Sequence, residues 1–253
     1  MFKVAAIVDK GLYKSNNEDR ILINNRVYDE VQLMDELSVS NILLAVADGV
    51  GGENAGEVAA DETLKEMVRH YSLIDADYKK GLDEVIRKCF MRLLEIALSR
   101  SECEGMATTL TGLFMRQNLV VTFNLGNSRV CRYRNGMLRQ LTHDHSGIQE
   151  MVDTGMVSRD NLKDVSERNV ITKYIGSNGK IFHADIIKHD ITMQAGDVFC
   201  LYSDGIHDYV SESEIESILN KKEILINKAR EITDIAKLKL NHDNISIVLL
   251  EVL

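Results

Sequence analysis

Short apolar runs punctuate the chain, and seven of them have the length and β-branched content of strands: Phe2 to Val8, Ile42 to Ala47, Thr108 to Met115, Leu119 to Phe123, Arg129 to Tyr133, Val198 to Tyr202 and Ile245 to Val252. Arg116-Gln117-Asn118 and Arg134-Asn135-Gly136 each join two runs closely. Such short turns predict antiparallel hairpins, because parallel strands need a long crossover.

A different period marks the helices. From Leu82 to Ser99, apolar residues recur three and four apart (Leu82, Val85, Ile86, Cys89, Phe90, Leu93, Leu94, Ala97), with Glu84, Arg87, Lys88 and Arg92 on the other side. A second helix is expected around Ala55 to His70. A third is expected from Ser213 to about Arg230, capped at Ser213 with acidic residues in its first turn. His145 to Ser177 is polar and mixed in period, which suits a surface subdomain or flap. No repeat or linker divides the chain, so one domain over 1–253 is expected, with a flap at about 145–177. Strands and helices in separate blocks predict an α+β layered fold on antiparallel sheets.

The chain has 253 residues, 45% of them hydrophobic, enough for one substantial core. Its net charge of -9 argues against nucleic acid or an anionic membrane as partner. Cys89, Cys103, Cys131 and Cys200 are too scattered for a zinc site and read as reduced, buried thiols. Proline is absent, so turns rest on Gly, Asn, Asp and Ser. The apolar run of MFKVAAIVDKG is too short for a secretory segment, and no window approaches a membrane span; a cytoplasmic location is expected.

Acidic residues stand at the ends of several apolar runs. Leu43 to Ala47 stops at Asp48-Gly49, Val198 to Tyr202 is followed by Ser203-Asp204-Gly205, Asp243-Asn244 precedes Ile245, and Glu18-Asp19 adjoins Ile21-Leu22-Ile23. Taken singly, each is an ordinary turn. If the strands pack in two sheets, however, their ends meet on one rim, where carboxylates repel unless a cation neutralises them. Oxygen ligands without His or Cys favour Mg²⁺ or Mn²⁺ over zinc. A glycine after Asp48 would leave the Gly49 carbonyl accessible. Asp48 bridging two such ions would suit hydrolysis of a phosphate ester.

Nine segments in order resemble the bacterial metal-dependent protein serine/threonine phosphatases of the 2C type. They are GLYKSNNED (11–19), VADGVGG (46–52), AGEVAA (55–60), MATTL (106–110) and LGNSRVCRYRNG (125–136), then LTHDHS (141–146), RNVITKYIG (168–176), GDVFCLYSDGIHDYV (196–210) and HDNISIVLL (242–250). The resemblance implies a four-layer α-β-β-α sandwich, two central antiparallel sheets flanked by helix pairs, with two Mn²⁺ or Mg²⁺ ions at one end. It implies that Asp48 bridges both ions, the Gly49 carbonyl binds the second, and Asp204 and Asp243 bind the first. Glu18 and Asp19 would hold metal-bound waters. Attack on phosphoserine or phosphothreonine would be direct, by a metal-bridging hydroxide, with no phosphoenzyme. Phosphorylated proteins, and a Ser/Thr kinase and its targets, are the implied partners, and a monomer is expected.

Four positions depart from the family pattern. Lys14 stands where an arginine usually grips phosphate, and supplies charge without a bidentate fork. Asn127 stands in GNSR where GDSR is usual, so a third metal site there is lost or weakened. Ala107 replaces a glycine, a packing change, and Val50 stands where many eukaryotic members carry a histidine. His143, His145, His207 and Asp208 are expected to support loops. Gly49-Val50-Gly51-Gly52 lacks the Lys-Ser/Thr of a phosphate-binding P-loop. Two alternatives stay open: a weakly active or inactive regulatory binding module on the same fold, and a phosphohydrolase for small phosphate esters.

Overall fold

A computed structural model describes residues 1–50, 55–157 and 170–253. In chain order the strands are β1 (Phe2–Asp9), β2 (Arg20–Ile23), β3 (Arg26–Tyr28), β4 (Val31–Leu37), β5 (Asn41–Ala47), β6 (Gly49–Val50), β7 (Ala107–Thr108) and β8 (Leu110–Arg116). They continue with β9 (Leu119–Leu125), β10 (Arg129–Arg134), β11 (Met137–Gln140), β12 (Ile175–Gly176), β13 (Asp185–His189), β14 (Val198–Tyr202) and β15 (Ile245–Val252). The helices are α1 (Gly56–Arg69), α2 (Tyr71–Ala76), α3 (Tyr78–Ser99), α4 (Gly147–Asp153), α5 (Asp204–His207), α6 (Glu212–Leu219) and α7 (Leu225–Leu238).

Two six-stranded antiparallel sheets carry the fold, in the orders β11-β10-β14-β15-β1-β4 and β13-β9-β8-β5-β2-β3. Val4, Ala6, Val8, Leu44, Val46, Leu113, Phe199, Leu201, Val248 and Leu250 fill the space between them. The opposite faces of the same strands are apolar too. Leu43, Ala45, Phe114 and Phe123 pack against Leu64, Met67, Leu82, Val85 and Phe90 of α1 and α3. Cys200, Tyr202, Ile247 and Leu249 pack against Ile215, Ile218, Ile232 and Ala236 of α6 and α7. The central strands are therefore buried on both faces and read as continuous apolar runs, and the layers are α-β-β-α. All four cysteines are buried, free thiols. Among the described residues no helix is long and apolar enough to cross a membrane.

The seven expected strands are present; the interior strand β2, whose apolar run Ile21–Ile23 is only three residues long, was not among them, and the other differences lie at the margins. Edge strands β3, β4 and β13 escaped the apolar pattern, and β11 entered only as the far arm of a hairpin. An edge strand with exposed faces, such as Val31–Leu37 (VQLMDEL), needs few apolar residues. The run expected from Thr108 to Met115 breaks at Thr109, whose N–H donates to the Asp48 carbonyl at 2.8 Å. The helix expected from Ser213 to Arg230 is two helices, α6 and α7. Ser211 caps α6 through a capping box with Glu214, and Lys228 donates to the Leu219 carbonyl at 2.7 Å across the turn between them. With no Gly or Pro at that turn, the sequence carries no break signal. Helix α3 begins one turn earlier than expected, because Asp77 accepts from the N–H groups of Lys79 and Lys80. Of the segment expected to form a flap, α4 and a bridge between Ser146 and Ile171 are seen, while 158–169 lie outside the described residues.

Candidate functional site

Strand β5 delivers Asp48 to one end of the sandwich, and β14 delivers Asp204 there from the other sheet. Threonines lock the first in place. The Asp48 N–H donates to Thr109 Oγ1 at 3.0 Å, and Thr108 Oγ1 donates back to the Asp48 carbonyl at 2.9 Å. Asp204 opens the short helix α5, and its Oδ2 accepts from Asn127 Nδ2 at 3.0 Å.

Asp243 and Glu18 arrive on two loops tied by one side chain. The Asn244 amide accepts from the Glu18 N–H at 2.9 Å and donates to the carbonyls of Lys10 at 2.8 Å and Asn16 at 2.9 Å. Asp19 lies beneath, 1% exposed, and accepts from Ser203 Oγ at 2.8 Å.

Glycine is required by packing at two positions. A Cβ on Gly49 would lie 2.6 Å from the Gly56 backbone and 2.8 Å from Glu18 Cβ. One on Gly205 would lie 1.9 Å from the Asn244 carbonyl oxygen. The Asp-Gly pairs thus let the site loops close on one another's backbones. Gly51 and Gly52 lie outside the described residues.

Electrostatically the site is in tension. Burial pushes the Asp48 carboxyl well up from its ordinary range, and Asp204, Asp19 and Asp243 push it the same way; Asp48 also shares a hydrogen bond with Asp204. Asp19 is raised to about 7 by burial, reinforced by Asp243 and Asp204 and opposed by the Ser203 hydroxyl. Asp204 is raised by burial and by Asp243. Glu18 is raised by burial, which outweighs the opposing charge of Lys14. Lys14 Nζ lies 3.0 Å from Asp243 Oδ1. Partial burial pulls the Lys14 ammonium down, but Asp243, Glu18 and Asp48 together hold it above its usual range.

The structure therefore brings together all the side chains singled out in the sequence: Lys14, Glu18, Asp19, Asp48, Asn127, Asp204 and Asp243. Among the described residues, no three His, Cys, Asp or Glu side chains close into a metal cage by themselves. The donors are an open set of oxygens, such as a hard cation completes with water. Asn127 fits that chemistry in part. Its Oδ1 is buried without a partner while its Nδ2 is spent on Asp204.

Four supporting residues were missed as such: Thr108, Thr109, Ser203 and Asn244. Each lies within a quoted motif, but only the fold shows that its side chain holds an acidic residue. The histidines do support loops. His207 Nε2 lies 3.1 Å from the Asn127 carbonyl, and His143 pairs with Asp153 at 2.7 Å. His145 is bonded to the Gly126 N–H and to Asp185, both at 3.2 Å.

Known proteins share both the sequence and the fold of this chain. The serine/threonine phosphatase stp of Listeria monocytogenes is 30% identical over 248 residues, covering 96% of this chain and 93% of that protein. The Streptococcus agalactiae serine/threonine phosphatase superposes with a TM-score of 0.87 over 100% of both chains, at 23% identity, a likeness of fold. The catalytic domain of the phosphatase PstP, solved in complex with two manganese ions, superposes with a TM-score of 0.79 over 99% of each chain at 26% identity. The model of the protein phosphatase 2C family matches residues 25–235. With most of its length matched and its acidic strand ends gathered at one rim, the chain belongs to the protein phosphatase 2C family.

Proposed function

We propose that the chain is a protein serine/threonine phosphatase that uses Mn²⁺ or Mg²⁺, two ions per chain, held by Asp48, Asp204, Asp243 and the Gly49 carbonyl. The observation that carries this reading is the uncompensated charge. Burial and mutual repulsion raise the pKa values of Asp48, Asp19 and Asp204, the charge of Asp243 adds to that repulsion, and Lys14 pairs with Asp243 at 3.0 Å. Such an arrangement is costly for folding alone and becomes favourable with divalent cations present.

When bound, the ions would acidify a water into the nucleophile and neutralise the phosphate, so attack is direct, without a phosphoenzyme. The protein's own part is positioning. Thr108 and Thr109 fix the backbone of Asp48, and Asn244 fixes the spacing of the Glu18 and Asp243 loops. Glu18 and Asp19 would orient waters around the ions. Lys14, half-exposed beside Asp243, would supply one positive charge to the incoming phosphate. The amide of Asn127 donates to Asp204 and so replaces, with a hydrogen bond, the charge balance a third ion would give. A third ion at this position is therefore weak or absent. Phosphorylated proteins are the substrates, which places a Ser/Thr kinase upstream.

Hydrolysis of a phosphothreonine peptide tests the proposal: rapid with Mn²⁺, abolished by EDTA, and cut by about 10²–10³-fold by Asp204→Asn. Equal rates under all three conditions would overturn it.

A further inference from the structure

Beside the carboxylates, the loop before Glu18 does something the metal site does not require. Leu12 is 58% exposed and Tyr13 is 54% exposed, immediately before Lys14. The Tyr13 ring stacks on that of His242, with centroids 4.4 Å apart and planes 31° apart, immediately before Asp243. The pair is firmly mounted. Asn244 ties the two loops together, and the His242 N–H reaches the Tyr209 hydroxyl at 3.4 Å. The Gly11 backbone presses against Asp243, where a Cβ would lie 2.3 Å from its carbonyl oxygen.

We propose that Tyr13, backed by His242 and preceded by the exposed Leu12, is the seat for an apolar side chain of the substrate close to its phosphorylated residue. The inference rests on the phosphatase reading and deepens it. Tyr13 and His242 each adjoin a residue of the site, and an extended chain advances about 3.3–3.6 Å per residue, so the seat serves positions within about two residues of the phosphothreonine. An apolar occupant matches the exposed Tyr13 ring and the exposed Leu12 beside it.

The test uses phosphothreonine peptides identical except for Leu, Gly or Arg at the two positions on either side of the phosphothreonine. Hydrolysis with Mn²⁺ gives kcat/KM ratios, and fluorescence anisotropy with the matching non-hydrolysable phosphonate peptides gives affinity ratios. The wild type is expected to favour Leu over Gly by about tenfold, the worth of one buried aliphatic side chain. Tyr13→Ala should bring both ratios to about one. Leu12→Ser should lower them by about threefold with the melting temperature unchanged, because an exposed side chain is exchanged. Ratios unchanged in Tyr13→Ala, or a wild-type preference for Arg, would overturn the seat and leave the phosphatase standing. A Leu preference in binding that Tyr13→Ala removes, without hydrolysis of any peptide, would keep the seat and overturn the phosphatase reading instead.

Discussion

Two aspartates, each 1% exposed, sit in opposite electrostatic worlds. Asp197, at the start of β14, is penalised by burial but more than compensated by the Arg134 guanidinium and the Gln194 N–H, which hold it below the usual carboxylate range. Asp19, as little exposed but more deeply enclosed, is raised to about 7 by that burial, reinforced by Asp243 and Asp204 against the hydroxyl of Ser203. The difference separates construction from function. At Asp197 the chain completes its own charge balance, and at the carboxylate rim it leaves negative charge unbalanced, which is the charge the proposed cations would meet.

The largest break of that comparison is Asp204→Asn. Removing one carboxylate from the rim should cut Mn²⁺-dependent hydrolysis by about 10²–10³-fold, the scale of losing one electrostatic stabiliser. In EDTA the same variant should melt at a higher temperature than the wild type, since a repulsive charge is gone. Asp197→Ala should do the reverse. With Arg134 left unpaired, denaturant unfolding should show a loss of about 3 kcal/mol, while activity per folded molecule persists.

A pH series sharpens the contrast. The folded Asp19 carboxyl titrates near 7, above its usual value of 3.8, so between those values the folded chain holds a proton that the unfolded chain has released. Stability of the EDTA-treated protein therefore falls as pH rises through that window. A penalty of about 2 kcal/mol corresponds to roughly 4–8 °C in a chain of this size. Mn²⁺ should restore most of the loss, because ions replace the protons. Smallest is Asn127→Asp, which exchanges a hydrogen-bond donor for a further negative charge. Melting should fall by roughly 2–4 °C in EDTA, about 1 kcal/mol, and rise above wild type with excess Mn²⁺.

How much of this was legible in the sequence depends on what each residue's role requires. The central strands were readable because burial on both faces demands unbroken apolar runs such as Leu43 to Ala47. The edge strands were not, since one exposed side leaves a sequence like Asp185–His189 free to be polar. The acidic residues themselves were conspicuous as charges at the ends of such runs. The residues that hold them were hidden. Thr109 and Asn244 act through contacts between distant segments, and nothing local distinguishes a threonine that locks Asp48 from one that fills a strand. The close packing at Gly49 and Gly205 was hidden too, because the backbones they admit belong to other loops.

The central claim is that the rim carboxylates form a divalent-cation site, and calorimetric titration of Mn²⁺ into EDTA-stripped protein at pH 6.5 tests it most directly. The account predicts saturable binding of about two ions per chain with release of protons from the raised carboxyls, and loss of that binding in Asp48→Asn. Heats that are absent, or unchanged in both size and proton release by Asp48→Asn, would contradict it.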